Sequence, residues 1–318
     1  PAISDTEQAR IYFDLPGDID GAAHQITRLG QEYEQLRSQL QEWALNVPTR
    51  DPLLDTVLDV GARAEEQLRR MHFKALLESC WRREVEPDEA GNVPPYHTYK
   101  LVFHGQLLGP LPTLRAHFGH VTLLELIGEG TSQSVDGLLR CFPNLKHLVI
   151  ERYVLGDIPA PVFALHSLRN LTLTENMIRL TPQSAGQLAS LENLIYLDLS
   201  DNTLGITPDV RNLQRLTTLY LHNCGLTEVP IGVFNLGRLR ILDASDNLIE
   251  HLPSDLLEMP LPINDDSDLS GNPLSDESIE LLRQYYQQTG YELGVEAAMF
   301  DEHGVPLLPP GTPEPMET

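Results

Sequence analysis

The sequence predicts an α/β solenoid: a curved parallel sheet of about eight repeats, with a helical hairpin before it and a capping helix after it. Three observations carry this. An apolar frame recurs along the middle of the chain at near-constant spacing. A heptad-spaced apolar seam precedes the first frame. A separately capped amphipathic segment follows the last.

The frame is clearest at 194–204, L-I-Y-L-D-L-S-D-N-T-L. It recurs at Leu168/Leu171/Leu173/Asn176/Ile178, Leu216/Leu219/Leu221/Cys224/Leu226 and Leu239/Leu242/Ala244/Asn247/Ile249. This is the leucine-rich-repeat pattern, L-x-x-L-x-L-x-x-N-x-L. Earlier frames open at Thr98, Val121 and Leu145, and a last one at Asn264, with spacings of 22 to 26 residues. Strand alternation sends the leucines inward and the intervening residues outward. The Asn position is expected to bond turn backbone along the stack, with Cys224 and Tyr153 standing in at two rungs. Pro159, Pro182, Pro208, Pro230 and Pro253 mark where each return segment begins, since proline fixes φ and withholds an N–H. The last frame is degenerate, with Asn264 and Ser267 at leucine positions.

Before the repeats, Ile19, Ala22, Ile26, Leu29, Tyr33, Leu36, Leu40, Trp43 and Val47 step by three and four, predicting a helix over 18–47. Asp51 with Pro52 reads as the N-cap and first turn of a second helix running to about Trp81. Its expected apolar side is Leu54, Val57, Leu58, Leu68, Met71 and Leu76. The short connection predicts an antiparallel hairpin covering the end of the repeat core. After the repeats, Ser275 reads as the N-cap of a helix carrying Ile279, Leu282 and Tyr286, stopped by Gly290. The expected division is 1–90 hairpin, 96–275 solenoid, 276–300 capping helix and 301–318 a disordered acidic, proline-rich tail.

The 318 residues hold 22 basic and 46 acidic side chains, a net charge of −24. That argues against nucleic acid and against docking on anionic lipid. No apolar run reaches the ~20 residues needed to span a bilayer. Pro1 to Arg10 carry no secretory apolar core, and a start without Met reads as a piece of a longer chain. Cys80, Cys141 and Cys224 read as reduced thiols. The eleven histidines show no metal spacing; His104, His147 and His222 fall at outward strand positions. The Asp265–Asp268 run lacks the Gly and distal Glu of an EF-hand loop. The chain is therefore expected to hold no catalytic, metal or cofactor site, and to be a monomer.

The expected binding face is the outward side of the strands. Its candidate residues are Glu151, Arg152, Glu175, Tyr196, Asp198, Asp201, Tyr220, His222, Asp243 and Asp246. The tyrosines supply amphipathic anchors among acids. Residues 243–318 carry 17 acids against one base, Arg283. A basic protein partner fits this charge. The alternative stays open that these acids are features of the repeat that aid solubility.

Three flanking stretches carry a resemblance: Cys80-Trp-Arg-Arg83 before the repeats; Tyr99-Lys-Leu-Val-Phe103, Leu108-Gly-Pro-Leu-Pro112 and His120-Val-Thr122 at their start; Asp268-Leu-Ser-Gly-Asn-Pro-Leu-Ser275 with Tyr285 and Gly290 at their end. Together, over residues 30–298, the chain resembles the repeat region of very large bacterial proteins that carry a NEL-type (novel E3 ligase) ubiquitin ligase domain. The resemblance implies a substrate-recognition region, made in the bacterial cytoplasm and then secreted into a host cell. It also implies a ligase cysteine in a Cys-x-Asp motif. Cys80, Cys141 and Cys224 do not fit that motif, so the catalytic domain is absent from this chain. The alternative is a stand-alone repeat adaptor with no ligase activity.

Overall fold

The computed structural model describes residues 19–52, 54–84, 99–130, 134–259, 261–264 and 266–311. Thr98, most of the 84–95 connector, Asp265 and residues 312–318 lie outside them. The chain forms two compact units, Pro1–Leu155 with Pro159–Leu165, and Gly156–Ile158 with His166–Thr318.

The first unit begins with α1 (Ile19–Leu45) and α2 (Val60–Trp81). Tyr33 stacks on Trp81 at 5.1 Å and Trp43 meets Phe73 edge-on at 5.9 Å, so the helices run antiparallel. Along the heptad seam Leu36, Leu40 and Val47 are buried and Trp43 half-buried, whereas Ile26 is exposed.

Two expectations for α2 are corrected. Asp51 is not its N-cap: Asp51 Oδ1 accepts the Leu54 N–H in a local turn, and Asp59 caps the helix, accepting from Ala62 N at 2.8 Å. Nor is the leucine side the packed side. Leu54, Val57 and Leu68 are each more than 70% exposed, and the buried stripe is Glu66, Arg70, Phe73, Leu77 and Cys80. The reason is a buried ion pair. Arg70 Nε meets Glu66 Oε1 at 2.9 Å, and its other nitrogens donate to the carbonyls of Trp43, Asn46 and Leu108. Glu66 also accepts the Leu108 N–H at 2.9 Å. A buried charge is tolerable when paired and fully hydrogen-bonded, and here that requirement turns the helix.

Strands β1 (Tyr99–His104), β2 (Val121–Ile127) and β3 (His147–Glu151) follow in parallel. The flanking motif residues meet at this unit's helix–strand junction. His120 Nε2 bonds the Cys80 carbonyl at 2.9 Å, Arg83 lies over the Tyr99 ring, and Phe73 packs edge-on to Phe103. The returns are a short helix α3 (Asp136–Leu139) and a 3-10 turn at Ala160–Ala164, directly after Pro159.

The second unit holds β4 (Asn170–Thr172), β5 (Tyr196–Asp198), β6 (Thr218–Tyr220) and β7 (Ile241–Asp243), paired in parallel in that order. Leu171, Leu197, Leu219 and Leu242 are fully buried, and the residues flanking each are half-buried and face outward. The Asn rungs satisfy the turns. Asn202 Nδ2 donates to the Leu173 and Leu199 carbonyls, and its Oδ1 accepts from Asn176 N and Ile178 N. Asn247 repeats this two frames on. At the intervening rung the Cys224 thiol donates to Leu199 O at 3.1 Å.

Returns again begin after proline: Ser254–Glu258 follows Pro253, and α4 (Pro182–Gln187) starts on Pro182 with Thr181 and Ser184 in a reciprocal cap. Among the described residues the degenerate frame contributes an isolated bridge, Asp243 to Asp268. Ser267, at a leucine position, accepts the Leu242 N–H and donates to Arg240 O. Helix α5 (Asp276–Thr289) runs from an N-cap at Ser275 to Gly290 at φ +83°. Tyr285, rather than Tyr286, is its buried tyrosine, donating to the Ile263 carbonyl at 3.0 Å. Residues 301–311, within the segment expected to be disordered, form a hydrogen-bonded turn: Asp301 N bonds Val305 O and Leu307 N bonds Met299 O.

Candidate protein-binding face

The residues after each second leucine are placed by the turn that ends the strand. Asp198 Oδ1 accepts from Ser200 N at 3.0 Å, Asp243 Oδ1 from Ser245 N at 3.0 Å, and Asp268 Oδ1 from Ser270 N at 2.7 Å. An Asp that bonds the backbone two residues on is a local turn device. The next outward position takes a left-handed backbone. Arg152, Glu175, Asp201, Asn223 and Asp246 all have φ between +50° and +57°, and Gly271 follows at +70°. Asn and Asp tolerate that region better than most side chains.

On this scaffold β5, β6 and β7 bring four expected residues together. Asp198, Tyr220 and Asp243 are cross-strand partners in one row. The Tyr196 and Tyr220 rings meet at 5.6 Å and 62°, and the Tyr196 hydroxyl donates to Asp198 Oδ2 at 3.2 Å. Burial, then the charges of Asp198, Asp243 and Asp266, push the Tyr220 phenol above its ordinary pKa.

A second group sits two residues along. His222 Nδ1 lies 2.9 Å from Ser245 Oγ and 3.7 Å from Asp246 Oδ2, while Ser245 Oγ donates to Asp243 Oδ1 at 2.6 Å. This is no nucleophilic relay: one ring nitrogen faces both partners, and the serine proton is committed to Asp243. Asp201 accepts from Asn223 Nδ2 at 2.9 Å, and with Glu175 and Met177 it lines an open depression. Glu151 and Arg152 belong to the first unit. There Glu151 O accepts from Gly128 N at 2.8 Å, and Arg152 Nε donates to Gly128 O at 3.2 Å.

Ser245 escaped the sequence reading. The tripeptide Asp-x-Ser, present at 198–200, 243–245 and 268–270, is the signal that would have found Ser245. In the first unit His104 Nε2 meets Glu125 Oε1 at 2.6 Å on the outward side. Among the described residues no three His, Cys, Asp or Glu side chains gather as a metal set, and no helix is long and apolar enough to cross a membrane. The three cysteines are free and buried. Desolvation pushes Cys80 and Cys224 up to about 12 and Cys141 up to about 11.

The family model for the Leucine Rich Repeat matches residues 193–213 and 215–236, so the chain carries leucine-rich repeats at the centre of this face. It is 33% identical over 118 residues to the volume-regulated anion channel subunit LRRC8D of Rattus norvegicus, covering 37% of this chain and 14% of that protein. It is 32% identical over 135 residues to subunit LRRC8A of Homo sapiens, covering 42% and 16%. Keratocan of Danio rerio is 29% identical over 172 residues, covering 51% and 47%. The chain thus spans less than half the length of each of these relatives. Among solved structures, the complex PEPR1-AtPEP1 overlaps at a TM-score of 0.45 with 26% identity, covering 54% of this chain and 25% of that one. A leucine-rich-repeat protein of Leptospira interrogans overlaps at 0.43 with 22% identity, covering 52% and 47%.

Proposed function

We propose that the chain is a protein-binding module whose partner is basic and docks on the outward strand face of the second unit. The observation that carries this is the half-exposed Tyr196–Tyr220 pair, set among carboxylates. Aromatic anchors on a rigid sheet supply contact area at low entropic cost, and surrounding charge steers the partner. The test is Asp198→Lys with Asp243→Lys, measured against a purified partner recovered on the wild-type chain. Affinity should fall at low salt, and its dependence on ionic strength should flatten. Unchanged affinity and salt dependence, with the fold intact, would remove the face from consideration.

The finer reading is a substrate-recognition region of a bacterial ubiquitin ligase effector, exported into a host cell, with hairpin and final helix capping a solenoid of eight repeats. Its support is the set of flanking motifs, Cys80 to Arg83, Tyr99 to Phe103 and His120, which pack on one another. The ligase chemistry is assigned to a domain outside these residues. A reading frame that continues past Thr318 into a Cys-x-Asp domain supports this; a stop codon there favours a stand-alone adaptor. In either case this chain alone, given ubiquitin-charged conjugating enzyme, should form no reducible ubiquitin adduct.

A further inference from the structure

We propose that the partner is recognised through an arginine side chain, its guanidinium lying on the Tyr220 ring between the carboxylates of Asp198 and Asp243. This rests on the strand face being the docking surface. Asp198 in β5 and Asp243 in β7 are the register partners of Tyr220, so their backbones lie one strand spacing, ~4.8 Å, to either side of its own. Neither carboxylate swings freely, because Ser200 N and Ser245 N hold one oxygen of each. Tyr196 fixes the ring from its edge. Asp266 adds a third charge near the phenol.

Among the described residues no ion pair reaches Asp198, Asp243 or Asp266, although Arg and Lys elsewhere in the chain pair readily with Asp and Glu. The row therefore presents charge with no internal counter-ion to a half-exposed aromatic face. Charge complementarity asks for a cation, and the geometry selects its kind. A guanidinium is planar, stacks on an aromatic ring and donates from two edges, so it satisfies a carboxylate on each side while lying on Tyr220. An ammonium is a compact, strongly hydrated charge that reaches one carboxylate and stacks poorly.

The experiment compares two peptides of equal length and charge, one alternating Arg and Gly, the other Lys and Gly, titrated calorimetrically into the chain. The wild type should bind the arginine peptide roughly tenfold more tightly. Tyr220→Phe keeps the ring and should keep the preference. Tyr220→Leu should abolish it, with the helical circular-dichroism signal and melting midpoint showing that the variant is folded. Asp198→Asn with Asp243→Asn should weaken the arginine peptide and leave the lysine peptide less affected. Equal affinity for the two peptides in the wild type, a preference that survives Tyr220→Leu, or no binding of either peptide each overturns the arginine site. The wider strand-face reading is judged separately, by the charge reversal against the native partner.

Discussion

Arg70→Leu is the sharpest test of how the first unit is held together. The substitution keeps an apolar stem and removes the guanidinium of a residue that is 2% exposed. Its loss strips Glu66, which is fully buried, of its closest charge partner, leaving Arg69 at 3.2 Å and the Leu108 N–H. It also strands the carbonyls of Trp43, Asn46 and Leu108. Breaking a buried pair from one side costs about 3–5 kcal/mol, and orphaned buried carbonyls add about 1–3 kcal/mol each when they cannot reach water. Some relaxation will admit solvent, so ~4 kcal/mol is the expected loss. Glu66→Leu with Arg70→Leu removes the stranded charge, so the double variant should lose clearly less than the two singles added. Urea unfolding followed by tryptophan fluorescence reads this directly, since Trp43 and Trp81 both lie in the hairpin. A cost below about 1 kcal/mol for Arg70→Leu, or strict additivity, would refute the claim that this pair sets the packed face of α2.

Leu197→Ala removes a fully buried side chain and should cost ~2–5 kcal/mol; Tyr196→Ala beside it should cost far less in chemical denaturation and instead weaken partner binding. Gly271→Ala should lower the melting midpoint, because φ is +70° and an added Cβ would strike the Asp246 carboxylate; the strain is worth about 1–3 kcal/mol. The cysteines should resist alkylation at pH 8 in the native chain and react once it is unfolded. The sign of their pH effect follows from raised folded values. The unfolded thiol ionises near 9.0, whereas folded Cys224 stays neutral to about 12. Its contribution is therefore full below pH 9 and is lost as pH climbs toward 12. Cys224→Ala should flatten the alkaline fall of the urea midpoint over that window.

The inward and outward phase of every strand was legible because a period of two leaves no latitude once one face is buried. Leu171, Leu197, Leu219 and Leu242 show it. The returns were legible because Pro159, Pro182 and Pro253 cannot continue a ladder. Helix α2 was not. Its buried stripe includes Glu66 and Arg70, so hydrophobic periodicity pointed to Leu68, a residue that faces solvent. A buried ion pair is chosen by its partners, and the Leu108 backbone lies 42 residues away. The start of α2 was misread for a related reason: both Asp51 and Asp59 have the chemistry of an N-cap, and only the turn that consumes Asp51 decides between them. At the candidate face the acidic row could be read from sequence. The Ser245 link between His222 and Asp243 could not, because it joins side chains of neighbouring repeats.

The acids of the face need no partner to explain them, since Asp198, Asp243 and Asp268 each close a turn through the residue two positions on. Tyr220 does not fit that account. It occupies the same position in its frame, and His222 stands where the other three frames place serine. This frame forgoes a local turn bond that its neighbours keep, and exposes a large ring instead. Breaking a local rule at a half-exposed position points to a site shaped by function. A packing explanation competes, because the ring rests against Tyr196. Tyr220→Asn with His222→Ser separates the two. It restores the turn bond without adding a fourth carboxylate to the row. If the tyrosine serves binding, the double variant should keep its urea stability within about 1 kcal/mol, the regained bond offsetting the lost ring contact. It should also lose the partner. If stability instead falls by several kcal/mol, Tyr220 is a packing residue and the face has lost its anchor.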